Sequence, residues 1–289
     1  MPKLVIVGGG PAGVSAALYS RRANIETLIV ANKKSSLGKA ESIDNYYGFP
    51  YGISGAELYS AGLEQAGNLG VEIVEDEVVG VDFSNPYTVK TSKGAYPCEC
   101  VIIATGAQRR TPPIPGLVGF EGSGVSYCAV CDAFFYRGKD VAVLGGGEYA
   151  LSEARELAHV AGSVTVLTDG EKTDSVFPES MQIIDKKIKL LRGSERLSHI
   201  VFEDGTELAV EGCFVAYGSA GSSDLAKKLG AQTNGSAILV DESCATTVPG
   251  IFAAGDCTGG LLQVAKAVYQ GMIAGTQAVK YLRSKRDKE

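Results

Sequence analysis

Residues 3–30 read KLVIVGGGPAGVSAALYSRRANIETLIV, and residues 139–167 read KDVAVLGGGEYALSEARELAHVAGSVTVL. Each stretch is a short apolar strand, a glycine-rich turn, an amphipathic helix and a second strand. That is the βαβ opening of a dinucleotide-binding fold, present twice. Each copy reaches a closing strand, Val101-Ile102-Ile103-Ala104-Thr105-Gly106 in the first and Phe214-Val215-Ala216-Tyr217-Gly218 in the second. Between opening and close, hairpin strands are expected, turning near Ser84-Asn85-Pro86 and at Glu203-Asp204-Gly205.

The copies are joined by Thr111-Pro112-Pro113-Ile114-Pro115-Gly116, which cannot continue a helix and reads as a linker. Beyond the second copy, Ile251-Phe252-Ala253-Ala254 reads as a buried strand, and a helical pattern runs from about Leu262 to Leu282. This tail completes the first domain. The expected fold is therefore α/β, with two Rossmann-like three-layer nucleotide-binding domains, the second inserted into the first. Residues 1–112 plus 243–289 would form one and residues 117–238 the other.

The net charge of −6 argues against nucleic acid or an anionic membrane as partner. No leader peptide and no membrane-spanning run is read. Seven cysteines, an odd and scattered set, do not form a secreted disulfide framework, so a cytoplasmic setting is expected. There, a Cys-x-x-Cys pair is catalytic or metal-binding more often than structural.

In Gly8-x-Gly10-x-x-Gly13, the first glycine permits the tight turn, the second lets a pyrophosphate approach the backbone, and the third lets helix and strand pack closely. The helix start then offers free N–H groups to phosphates. The acidic residue that often binds a ribose is missing where the second strand ends. Asn32 stands there and could hydrogen-bond a hydroxyl instead. Gly255-Asp256 is a second anchor, a carboxylate able to accept from a polyol, although an Asp there could equally cap the next helix.

Cys128-Ala129-Val130-Cys131-Asp132 is the chemical centre. Cysteines so spaced can close a small disulfide loop, a helix start lowers a thiol pKa, and Asp132 can give and take the proton of the exchanging thiol. The competing reading is zinc, which needs four ligands; Cys98 and Cys100, with His159 and His199, are the available residues. Cys98 and Cys100 also read as ordinary strand-end residues, and Cys213, Cys244 and Cys257 as small buried hydrophobes.

These pieces, with Asp44-Asn45-Tyr46-Tyr47-Gly48-Phe49-Pro50, Gly52-Ile53-Ser54-Gly55, Ala104-Thr105-Gly106-Ala107, Ile114-Pro115-Gly116 and Phe252-Ala253-Ala254-Gly255-Asp256, stand in an order and spacing that resembles the low-molecular-weight thioredoxin reductases along nearly the whole chain. The resemblance implies a homodimer with an FAD domain built from both chain ends. FAD would be held by Gly8, Gly10, Pro11, Ala12, Gly13, Asn32, Asn45, Ala104, Thr105, Gly106, Gly255, Asp256, Gln263 and Val264. It further implies that Cys131 faces the flavin, Cys128 attacks thioredoxin, and Asp132 is the acid/base. The family rotates one domain against the other, and the linker, with a return segment near Val240-Asp241, reads as the hinges.

The second glycine turn, Gly145-x-Gly147-x-x-Ala150, departs from the family. No His-Arg-Arg cluster follows the next strand, which ends Val166-Leu167-Thr168-Asp169-Gly170-Glu171. Carboxylates there repel a 2′-phosphate, which disfavours NADPH, and Glu148-Tyr149 places a carboxylate and a bulky ring at the phosphate turn. NADH stays open, with Asp169 on the ribose. So does a scaffold that binds no nucleotide, as in the ferredoxin-dependent flavin thioredoxin reductases, the branch this chain most resembles. Ferredoxin near −400 mV could drive thioredoxin near −270 mV, downhill by about 6 kcal/mol for two electrons. Candidate docks for an acidic ferredoxin are Arg21, Arg22, Lys33, Lys34 and Lys39; Arg109 and Arg110; and Lys186, Lys187 and Lys189. A reading of another class is a flavin-bearing redox sensor with little turnover.

Overall fold

Both βαβ openings form in the computed structural model, which describes residues 2–32, 37–82, 86–106, 112–127, 129–173, 175–217 and 221–286. In chain order, the elements up to the linker are β1 (Leu4–Val7), α1 (Pro11–Arg22), β2 (Thr27–Ala31), α2 (Gly55–Asn68), β3 (Glu72–Glu75), β4 (Val78–Asp82), β5 (Tyr87–Thr91), β6 (Ala95–Cys98) and β7 (Cys100–Ile103). Then come β8 (Val125–Ser126), α3 (Ala129–Asp132), β9 (Asp140–Leu144), α4 (Glu148–Ala158), β10 (Ser163–Leu167), β11 (Gln182–Ile184), β12 (Ile188–Gly193), β13 (Leu197–Phe202), β14 (Glu207–Ala209) and β15 (Gly212–Val215). The chain ends with α5 (Ser222–Lys228), β16 (Thr233–Asn234), β17 (Ala237–Ile238), β18 (Ile251–Ala253) and α6 (Val264–Arg286).

The chain divides into two units, Met1–Gln108 with Gly221–Glu289, and Arg109–Ala220. The first has a parallel sheet of order β18-β7-β1-β2-β3 and an antiparallel sheet β4-β5-β6. Leu4, Ile6, Ile29, Cys100 and Ile102 of the parallel sheet pack with Ala12, Ala16, Ala274 and Ala278 of α1 and α6. Alternate residues of the same strands, Val5, Leu28 and Val101, are equally buried, as in a sheet covered on both faces. The second unit repeats the plan with a parallel sheet β11-β10-β9-β15-β8 and an antiparallel sheet β12-β13-β14. Leu144, Leu167 and Val215 of its parallel sheet share a core with Leu191, Ile200 and Phe202 of the antiparallel one.

The repeat extends to individual hydrogen bonds. Gly8 N–H donates to Val30 O at 2.8 Å and Ala104 N–H to Val7 O at 2.8 Å; Gly145 N–H donates to Leu167 O at 2.9 Å and Ala216 N–H to Leu144 O at 2.8 Å. Gly8 (φ +114°) and Gly145 (φ +142°) lie against the closing strand's carbonyl, where a Cβ would come within 2.3 Å of Ala104 O and 2.2 Å of Ala216 O. Glycine is required at both positions by conformation and by space.

The return to the first unit falls at Gly221, ahead of the 238–243 stretch expected from sequence. Helix α5 packs on β4 and on the β16–β17 hairpin, so residues 221–238 belong with the first unit. Val240-Asp241 is not a crossing point between units. Asp241 Oδ1 accepts from Ser243 N–H at 2.9 Å, Ser243 Oγ at 2.7 Å and Ala245 N–H at 2.9 Å, which locks a turn inside that unit. Among the described residues no helix is long and apolar enough to cross a membrane.

Candidate active site

The carboxyl ends of β1, β7 and β18 gather Gly8, Gly10, Pro11, Ala12 and Gly13, then Ala104, Thr105 and Gly106, then Gly255 and Asp256, because these strands are neighbours in the sheet. Asn32 follows β2 on the same edge, and its carbonyl accepts from Tyr59 OH at 3.5 Å. Helix α1 follows Gly10, its N-cap residue, with no side-chain cap, which leaves its first N–H groups for a ligand. A Cβ on Gly10 would meet nothing within 4 Å, so a pyrophosphate can approach there. Thr105 Oγ1 is buried without a hydrogen-bond partner among the described residues. A buried hydroxyl without a partner is costly, and a bound ligand would satisfy it.

Asn45 Nδ2 donates to Gln263 Oε1 at 3.0 Å, joining two candidate residues from opposite ends of the chain, next to Val264 at the start of α6. The Gly255–Gly259 turn is held by residues the sequence did not single out. Lys266 Nζ donates to Gly255 O at 2.8 Å, Gly259 O at 2.7 Å and Thr258 Oγ1 at 3.1 Å, while Gly255 N–H donates to Gln270 Oε1 at 2.9 Å. Their only sequence signal is their spacing, four apart on one helix.

In the second unit, Asp132 closes the short α3, and its Oδ2 accepts from Ser126 Oγ at 2.6 Å. Cys128 and the side chain of Cys131 lie outside the described residues. Ala129 N–H donates to Glu153 Oε2 at 2.7 Å, and Tyr149 OH donates to Tyr127 O at 3.2 Å. The ring of Tyr149 is only 1% exposed, so it does not stand in the phosphate turn as expected; it is turned into the core. Phe134 and Phe135, just after the redox turn, are exposed, and Arg137 lies 5.4 Å from the Phe134 ring centre.

The second glycine turn is contacted by its own chain at Gly146. Thr173 Oγ1 donates to Gly146 O, and Tyr217 OH donates to Glu171 Oε1. Asp169 is buried at φ +54°, a left-handed conformation that Asp tolerates. Its Oδ1 accepts from Ile188 N–H at 2.7 Å and its Oδ2 pairs with Lys187 Nζ at 2.8 Å. Asp169 therefore pins β12 rather than standing open to a ribose.

Lys187 is thus engaged, and Lys186 pairs with Asp204 at 2.8 Å, so two members of the Lys186–Lys187–Lys189 cluster already have carboxylate partners. Arg21 Nε donates to Leu69 O at 3.1 Å, at the end of α2. Lys33, Lys34, Arg109, Arg110 and the side chain of Lys39 lie outside the described residues. Cys98 and Cys100 are fully buried strand residues of the first unit, and burial pushes the Cys98 thiol up to about 12.

Residues 2–271 match the family model described as pyridine nucleotide-disulphide oxidoreductase. A thioredoxin reductase of Aquifex aeolicus is 35% identical over 98% of this chain and 94% of its own. Among solved structures, an atypical thioredoxin reductase from Desulfovibrio vulgaris Hildenborough is 40% identical, with a TM-score of 0.92 over 98% of this chain and 99% of its own. A ferredoxin-flavin thioredoxin reductase from Clostridium acetobutylicum is 32% identical, with a TM-score of 0.72 over 98% of each chain. The family's cofactor is FAD, and the open glycine turn, the uncapped α1 and the unpartnered Thr105 hydroxyl fit it. With two dinucleotide-type units, the glycine turns and the Cys-x-x-Cys-Asp block in one chain, and these likenesses along its length, the chain belongs to the low-molecular-weight thioredoxin reductase family of pyridine nucleotide-disulphide oxidoreductases.

Proposed function

We propose that the protein is a thioredoxin reductase that takes electrons from ferredoxin, passes them through FAD in the first unit to a Cys128–Cys131 disulfide, and delivers them to thioredoxin as a homodimer. The observation that carries the choice of donor is the state of the second glycine turn. Thr173 is hydrogen-bonded to the turn's Gly146 carbonyl, Glu171 is engaged by Tyr217, and both oxygens of Asp169 are engaged by Ile188 and Lys187. No arginine stands between Leu167 and Ile188 to grip a 2′-phosphate. This supports a scaffold over an NADH or NADPH site.

When bound, FAD supplies the exchange between one-electron arrival and two-electron delivery. Gly8, Gly10, Pro11, Ala12 and Gly13 would hold its pyrophosphate, Asn32 a ribose hydroxyl, and Asn45, Ala104, Thr105, Gly106, Gly255, Asp256, Gln263 and Val264 the rest. Opening the disulfide takes two electrons and two protons and leaves two thiols. Cys131 is the sulfur toward the flavin. Cys128, as thiolate, attacks the thioredoxin disulfide and forms a mixed disulfide, which Cys131 then resolves, re-forming the Cys128–Cys131 bond and releasing reduced thioredoxin. Asp132, steadied by Ser126, shuttles the proton, and exposed Phe134 and Phe135 offer an apolar contact to the partner.

Anaerobic flavin bleaching with reduced ferredoxin, NADH and NADPH offered separately tests this. Rapid bleaching by ferredoxin alone is expected. Bleaching by either nicotinamide within turnover time overturns the choice of donor. Full thioredoxin reduction by Cys128→Ser or Cys131→Ser overturns the disulfide route.

A further inference from the structure

We infer that α4, the helix that would face phosphates in a working dinucleotide site, here serves the redox loop: Tyr149 and Glu153 grip the backbone on either side of position 128 and set the reactivity of the thiol there. This rests on the reading of Cys128 and Cys131 as the redox pair.

Tyr149 and Glu153 stand four residues apart on one face of α4, and each is 1% exposed. One supplies a donor and the other an acceptor. The donor meets Tyr127 O at 3.2 Å and the acceptor meets Ala129 N–H at 2.7 Å. Those are the backbone groups immediately before and after residue 128. A carboxylate is among the costliest side chains to bury, and Glu153 is held by a short charge-assisted bond to the amide that opens α3. Apolar side chains would fill the same core position at lower cost, so a carboxylate and a hydroxyl here call for a role.

The role follows from thiol chemistry. Attack on a partner disulfide needs one thiol of the reduced pair to give up its proton and become a thiolate. An amide at a helix start ordinarily stabilises such a thiolate. Here Glu153 Oε2 already accepts from the Ala129 amide, and an ionised Glu153 would oppose a negative charge at position 128. A less stable thiolate means a thiol that ionises at higher pH and a dithiol that gives up electrons more readily. Among the described residues, the other charged or titratable groups around the loop include Asp132 and Tyr136 after the pair, Arg196 and Cys213 against Tyr136, Glu121 on the Tyr127 hydroxyl, and Tyr149 itself. Glu153 is thus a positioning residue, acting through the loop backbone and through its charge.

The test is alkylation of the reduced, FAD-loaded full chain by iodoacetamide as a function of pH, with peptide mapping. Glu153→Gln keeps an oxygen for Ala129 N–H and nearly the same volume but removes the charge. It should lower the pH midpoint of alkylation by about one unit, whereas Glu153→Asp should keep the wild-type midpoint. A purely structural role would leave the Glu153→Gln midpoint unmoved, and that result overturns the inference. Should Glu153→Gln not fold, Tyr149→Phe decides: freed of its tether to Tyr127 O, the loop should be alkylated several-fold faster above the midpoint, and an unchanged rate overturns the grip. Alkylation that spares both Cys128 and Cys131 is a different failure, that of the redox-pair reading itself.

Discussion

Gly271→Ala should destabilise the flavin-bearing unit while Gly62→Ala stabilises it, although both put a good helix former inside a helix. A Cβ at position 271 would lie 2.1 Å from Ala12 O and 2.9 Å from both Ala12 C and Ser15 Cβ. The obstacle is backbone, which cannot rotate aside, so α6 must retreat from α1 by about 1 Å to restore ordinary contact. Overpacking of this kind costs about 1–3 kcal/mol, against roughly 1 kcal/mol returned by helix propensity. The net loss is up to about 2 kcal/mol, on a seam that includes buried Ala12, Ala16, Ala274 and Ala278. A Cβ at position 62 would lie 3.6 Å from Val14 Cγ1, an ordinary contact, leaving the gain of about 1 kcal/mol intact. In a unit of this size each kcal/mol moves the transition by about 2–4 °C. Thermal release of FAD, followed by flavin fluorescence, should rise for Gly62→Ala and fall for Gly271→Ala. Because Ala12 belongs to the phosphate loop, Gly271→Ala should also weaken FAD binding. A rise for both variants would refute the close approach of α1 and α6.

Two further outcomes are expected. Thr105→Val removes the unpartnered buried hydroxyl, so the FAD-free protein should be as stable as wild type or more so, while FAD binds about tenfold more weakly; unchanged affinity would mean the hydroxyl does not meet the cofactor. Burial alone would raise the Asp76 carboxyl, but hydrogen bonds from Ser92, Thr91 and the backbone N–H groups of Glu77 and Lys93 outweigh it and hold it below the ordinary range. A folded pKa below the unfolded one stabilises above about pH 4 and stops doing so as pH falls through the folded value. The stability gap between wild type and Asp76→Asn should therefore narrow on acidification below about pH 4, as read by urea unfolding; a constant gap would contradict the assignment.

The two βαβ openings, the insertion of one unit into the other and the Cys128–Asp132 block were legible in the sequence alone. Strand and helix periodicity, and the demand for glycine at Gly8 and Gly145, are decided within a few residues by backbone geometry. What lay at long sequence separation was not legible. Only packing shows that α5 rests on β4 and carries residues 221–238 into the first unit, or that Asn45 meets Gln263. Only the fold reveals that Asp169, at a ribose-binding position, is spent on Lys187 and Ile188, and that Tyr149 turns inward to Tyr127 rather than outward into the phosphate turn. A polar side chain takes the partner that burial brings within hydrogen-bond distance. Residue type and spacing determined which groups this protein possesses; the tertiary structure decided which of them remain open to a ligand, because a donor or acceptor used within the fold is withdrawn from binding.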